Sequence, residues 1–113
     1  MRLRSDLFVA AYLRRRNGDN AFSVVRHRGA AEAGAIFVMI DHLNGGASLY
    51  GPAPQMVFDD ANPERRFEKI SKPGASLAEI EERLAKELRF DRDIWIIDVE
   101  DRNGGPALDL VHI

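Results

Sequence analysis

Residues 35–40, Ala35-Ile36-Phe37-Val38-Met39-Ile40, decide how this chain folds. The run is β-branched and aromatic, and it is apolar at both alternating sets of positions, as expected of a central strand covered on both faces. A second run, Ile94-Trp95-Ile96-Ile97-Asp98-Val99, places Trp95, Ile97 and Val99 on one side and Ile94 and Ile96, ahead of Asp98, on the other. Both strands belong in the interior of one sheet.

The first strand is expected to continue to about Leu43, where Asn44-Gly45-Gly46 supplies positive-φ residues for a hairpin, and Ala47 to Tyr50 returns antiparallel to it. Gly51-Pro52-Ala53-Pro54 then takes the chain out of the sheet, because proline has no N–H for a ladder and restricts the residue before it. Met56 to Phe58 is placed to touch the core, Asp59 to Pro63 reads as a turn, and Arg66 to Ile70 as an edge strand. Upstream, Gly29 to Gly34 is small and flexible, and Phe22 to Arg28 suits a short strand with one wet end.

Two segments carry helix signals. Ser5 is a suitable N-cap, Asp6 suits the first turn, and Leu7, Phe8, Ala10, Ala11 and Leu13 follow. Arg14, Arg15 and Arg16 close this helix, with Asn17-Gly18 as its left-handed stop. The second helix opens on a capping box, Ser76 with Glu79, ahead of Leu77, Ile80, Leu84 and Leu88. Its outer face pairs Glu79 with Arg83 and Glu82 with Lys86 at i,i+4, each worth about 0.2–0.5 kcal/mol. Beyond the second apolar run, Asn103-Gly104-Gly105 turns into a last short strand, Leu108 to Val111. The expected fold is α+β: a mainly antiparallel sheet with two helices packed on one of its faces, in a single domain over residues 1–113.

Composition narrows the function classes. At 113 residues and 45% hydrophobic, the chain has material for one core, and the apolar run at 35–40 is far shorter than the roughly 20 residues a membrane helix needs. No signal peptide and no membrane association are expected. With no cysteine, disulfides and thiolate metal sites are ruled out, and a cytoplasmic location is expected. A net charge of −2 argues against a dedicated nucleic-acid binder. Gly45-Gly46 and Gly104-Gly105 lack the strand-to-helix context and the lysine of a phosphate loop, so no cofactor is expected.

Four stretches, Leu3-Arg4-Ser5 with Ala11-Tyr12-Leu13-Arg14-Arg15, Ala33 to Val38, Leu49-Tyr50-Gly51-Pro52-Ala53-Pro54-Gln55, and Trp95 to Asp101, span nearly the whole chain. Together they resemble a mostly alphaproteobacterial family known as domain of unknown function 1491. The Tyr-Gly-Pro-Ala-Pro-Gln stretch is the most specific of them. The resemblance implies a small, stand-alone bacterial protein and brings no activity, substrate or site residue with it.

The candidate binding residues are Tyr50, Pro52, Pro54 and Gln55 on the bend, with Arg26 and Arg28 nearby. Two prolines one residue apart hold an extended backbone cheaply, and a flanking aromatic and amide could meet a peptide or small ligand; the plainer role for the prolines is to end an edge strand. The clusters Arg14 to Arg16, Arg26 to Arg28 and Arg65-Arg66 could converge on an anion or RNA, although they lack interleaved aromatics. Asp98 and Glu100 share a strand face and could hold a cation or pair with arginines, more simply as the wet end of a strand. Asp41 and His42 point to opposite faces and would not share a metal, so no metal site is expected. No serine sits in a nucleophile elbow. The reading that follows is a non-enzymatic module that binds a protein partner or itself, ahead of a small ligand-binding protein or enzyme using the bend, and of RNA binding.

Overall fold

The computed structural model describes residues 3–54, 65–103 and 105–111. In chain order these form helix α1 (Ser5–Gly18), strands β1 (Ser23–His27), β2 (Ile36–Asp41), β3 (Ala47–Pro52) and β4 (Phe67–Lys69), helix α2 (Leu77–Phe90) and strand β5 (Trp95–Glu100). The strands make one sheet in the order β1-β5-β2-β3-β4. The two apolar runs are therefore neighbours at its centre, in register from Ile36 opposite Trp95 to Asp41 opposite Glu100.

That central pair runs parallel, while the other three pairings, β1 with β5, β2 with β3 and β3 with β4, are antiparallel. The sheet is mixed and mostly antiparallel. Its parallel step arises because the chain returns from β4 to β5 through α2, and a helical crossover brings a strand back in the same direction.

The expectation that both helices share one face is corrected. Val9 and Tyr12 of α1 pack with Ile36, Val38, Ile40, Tyr50, Trp95, Ile97 and Val99. Ile80 and Leu84 of α2 pack on the other face, with Phe37, Met39, Leu49, Ile94 and Ile96. Strands that are apolar on both sides need a cover on both, and one helix supplies each.

Helix α2 carries the expected capping box: the Glu79 N–H donates to Ser76 Oγ at 3.2 Å, and Glu79 reaches back to the Ser76 N–H. Helix α1 starts differently. Ser5 is its first residue rather than its cap, and the Ser5 and Asp6 N–H groups donate to the carbonyls of Glu32 and Ala31 at 3.1 and 2.9 Å. The fully buried Ser5 hydroxyl donates to the Gly34 carbonyl at 2.6 Å. Residues 29–34, expected to be loose, are thus tied to the α1 N-terminus. They are also tied to β5 and the residues leading into it, through Trp95 Nε1 to Ala30 O at 2.8 Å and Ala30 N–H to Asp93 O at 2.9 Å.

Several boundaries move for local reasons. β2 stops at Asp41, whose Oδ1 accepts from the Leu43 N–H at 2.8 Å, and the loop's positive-φ residues are Leu43 and Gly45. After α1, the left-handed residue is Asn20 at φ 64°, leaving the Asn17 side chain free for another task. β3 runs on through Pro52, which pairs with Phe67. Leu49 and Ala53 both bond to the β4 side, so period-two alternation turns the Pro52 nitrogen toward β2, beyond the last β2 pair at Tyr50. The stretch 108–111 makes a single bridge, Leu110 to Phe67, rather than a strand. Gln55, Met56 to Phe58, Asp59 to Pro63 and Gly104 lie outside the described residues.

Candidate functional site

The bend and the two arginines do not meet. Tyr50 is buried on the α1 face of β3, where burial raises its pKa against a hydrogen bond with Ser48 that lowers it. Pro52 and Pro54 are exposed. Arg26 stands on β1, separated from β3 by β5 and β2, and on the α2 side of the sheet. Its Nε donates to Asp98 at 2.9 Å, and its two terminal nitrogens donate to the Glu81 carboxylate at 2.9 and 2.6 Å. Burial opposes the Arg26 charge, but these bonds outweigh it and raise its pKa. The Arg28 guanidinium lies over the Trp95 ring, 5.2 Å from its centroid.

Arg16, Arg65 and Arg66 of the other basic clusters are also tied internally. Arg16, only 5% exposed, donates to Asp101 at 2.6 Å. Arg65 reaches the Leu3 carbonyl and the Ser5 hydroxyl and lies over Phe8, and Arg66 is 3.7 Å from Asp109. Arg16, Arg28 and Arg65 lie on the α1 side while Arg26 sits with α2, so the stretch Arg26 to Arg28 is divided between the two sides of the sheet.

Beside Arg16 lies a polar group at the C-terminal ends of β2 and β5. The Tyr12 hydroxyl donates to the Pro106 carbonyl at 2.6 Å, and burial pushes the Tyr12 phenol up to about 12. His42 Nε2 is 2.8 Å from Ser48 Oγ. That is the first contact of a nucleophile–base pair, but Ser48 is only 6% exposed, and the arrangement reads as a polar seam under α1. Among the described residues no group of three or more His, Asp or Glu side chains is placed to hold a metal ion. Among them, too, no helix is long and apolar enough to cross a membrane.

An apolar surface left open lies at β1 and the residue just before it. Val25 packs toward α1, so its neighbour Val24 faces the α2 side, and Phe22 two residues earlier faces with it. Phe22 is 60% exposed and Val24 40%, on the stretch ahead of Arg26, where α2 reaches β1 through Glu81. The Glu100 N–H donates to the Phe22 carbonyl at 2.9 Å, and Val24 pairs with Asp98. Glu81, Asp98 and Glu100 therefore border the apolar pair, with Arg26 between the first two.

The sequence matches the family described as "Protein of unknown function (DUF1491)" over residues 3–109. The chain belongs to the DUF1491 family. A solution structure of an A. tumefaciens protein superposes on this DUF1491 chain with a TM-score of 0.84 at 42% identity, covering 100% of this chain and 98% of that one. A crystal structure of a DUF1491 protein from Caulobacter crescentus is similar at 28% identity and TM-score 0.80, covering 99% and 100% of the two chains. An NMR structure of a DUF1491 protein from the same organism gives 29% identity and TM-score 0.79, with 99% of each chain covered. No curated protein matches the chain.

The resemblance drawn from the four stretches holds for this DUF1491 domain across nearly its whole length. The features that sequence reasoning missed here are contacts made by topology. His42 meets Ser48 only because a hairpin joins them, and Phe22 stays open ahead of the point where α2 reaches β1. The pairing of Asp98 with an arginine was legible in its strand-face position, although the partner Arg26 was not.

Proposed function

We propose that this DUF1491 chain works as one α+β domain that binds a protein partner without catalysis, through the α2-side face of β1. The observation that carries the reading is the exposed pair Phe22 and Val24, side by side on one face of β1 and the residue just before it. An aromatic at the centre of a polar rim is the usual anatomy of a protein contact. The rim here holds three carboxylates, Glu81, Asp98 and Glu100, around one guanidinium, Arg26. The partner that fits is an apolar segment flanked by lysine or arginine, since the local charge steers cations and disfavours acids. Arg26 thus joins the binding surface as an orienter of its carboxylates, while the exposed Pro52, at the end of β3, and Pro54, just beyond it, would serve a separate and weaker contact. A cytoplasmic setting fits a core held without cysteine.

The test places a photoreactive phenylalanine analogue at position 22 and, as a control, at position 11, in the native host. A partner cross-linked at 22 but not at 11 is then purified and titrated against the wild-type chain and Phe22→Ser/Val24→Ser. The expected result is binding weakened about tenfold or more by the double substitution. Unchanged affinity, or the same cross-links at both positions, would refute the reading.

A further inference from the structure

We infer that the outer face of α2 is a self-association surface, on which a second copy of this chain packs antiparallel about a two-fold axis near Leu84. The helix spans 14 residues, about 21 Å. Ile80 and Leu84 are its buried residues, and on a 3.6-residue period Glu79, Glu82, Arg83, Lys86, Arg89 and Phe90 fall within about a third of its circumference, facing away. This outer stripe is divided along its length. Its carboxylates, Glu79 and Glu82, are in the N-terminal half with Arg83, which is paired within the helix to Glu87 at 3.0 Å, and its C-terminal half holds Lys86, Arg89 and Phe90.

Phe90 is 90% exposed, more than any other large apolar side chain among the described residues. On the same helix, between its N-terminal half and the chain after β4, lies a cleft of about 190 Å³. Leu49, Ile70, Ala75 and Ile80 supply its apolar lining, with Lys72 and Arg83 among its charged residues. The space takes one benzyl side chain. Each chain therefore carries a knob at one end of α2 and a hole at the other.

Antiparallel pairing about Leu84 places Lys86 opposite Glu82 of the second copy and Arg89 opposite its Glu79. Both charge pairs form twice under the symmetry, whereas a parallel pairing would set like charges together. The same register brings Phe90 opposite Ala78 of the other copy. Long helical side chains lean toward their own N-terminus, which here carries the Phe90 ring toward Ile80 and Arg83 of the facing chain, where the cleft opens. A knob and a hole on one chain can also build an open filament, but the self-complementary charge order selects the closed dimer.

Sedimentation equilibrium of the full chain up to about 1 mM tests this at low salt. The wild type is expected to reach a dimer and no larger species. Phe90→Ser and Glu82→Lys should each weaken the dimer about tenfold or more, and Glu82→Lys/Lys86→Glu should restore it, since the exchanged charges still face one another. Circular dichroism establishes that each variant folds. A wild type that stays monomeric overturns the proposal, as does a folded Phe90→Ser chain that dimerises equally well. Species larger than a dimer overturn the closed two-fold, and failure of the double exchange to restore association overturns the antiparallel register. Because Val24 is on β1 and Phe22 directly precedes that strand, these outcomes are independent of partner binding there.

Discussion

The Asn17 side chain holds both main-chain groups of Ser23: Oδ1 accepts from the Ser23 N–H at 2.9 Å, and Nδ2 donates to the Ser23 carbonyl at 3.1 Å. Phe22 bonds to Glu100 of β5, so period-two alternation points the Ser23 backbone away from the sheet, toward the open edge of β1. The amide plugs that edge as a neighbouring strand would. Asn17→Ala should cost about 1–2 kcal/mol in urea unfolding and speed hydrogen exchange at the Ser23 amide. Asn17→Asp, which can accept but not donate, should lose the carbonyl bond and retain protection at that amide. Equal exchange in all three chains would show that the plug has no consequence.

Gly34 is confined by backbone, not by side chains. A Cβ there would lie 2.5 Å from the Asp93 carbonyl oxygen and 2.8 Å from that of Ala30. Neither can swing aside, because Ala30 N–H bonds to Asp93 O and Ala30 O accepts from both Gly34 N–H and Trp95 Nε1. Gly34→Ala should therefore destabilise by about 2–3 kcal/mol. Gly18→Ala, where a Cβ meets nothing within 4 Å, should be neutral or stabilising by up to about 1 kcal/mol. Thermal melts of the two variants side by side decide it.

These contacts also mark how far the sequence was legible. The runs at 35–40 and 94–99 and the Ser76 capping box declare themselves through residues a few positions apart, and each forms where it was expected. The parallel pairing of β2 with β5 joins residues as distant in the chain as Ile36 and Trp95 and is set by the return through α2, so no local pattern encodes it. The same holds for the candidate site. Tyr50 read as the aromatic flanking the proline bend, and its place on the alternating pattern of β3 turns it under α1. Arg26 and Arg28 read as one cluster, but the irregular register between Val25 and His27 breaks simple alternation there, and the first meets α2 carboxylates while the second meets Trp95.

Arg16 and Asp101 join α1 to the chain leaving β5, with side chains 6% and 19% exposed. A guanidinium so enclosed loses most of its hydration, and its Nε has no hydrogen-bond partner among the described residues. Asp101→Asn removes the compensating charge and should cost about 2–4 kcal/mol, somewhat below the range for fully buried pairs because Asp101 is partly solvated. Arg16→Met/Asp101→Leu, which removes both charges, should recover at least half of that loss. Urea unfolding of the single and double variants measures the difference, and a double variant no more stable than Asp101→Asn would refute the argument.

Tyr12 links the same region to pH. Its hydroxyl donates to the Pro106 carbonyl at 2.6 Å, and burial raises its pKa from the ordinary value near 10 to about 12, against the pull of Arg16. Between these values the unfolded chain gives up the phenol proton while the folded chain keeps it, so rising pH favours unfolding. The stabilisation is full below pH 10 and is lost by about pH 12, amounting to about 2–3 kcal/mol. Tyr12→Phe keeps the ring stacked on Phe8 but has no proton to lose. It should be slightly less stable at neutral pH, for want of one hydrogen bond, and should show a shallower fall in stability from pH 10 to pH 12. Unfolding curves at several pH values separate the two chains, and parallel pH profiles would exclude Tyr12 as the titrating group.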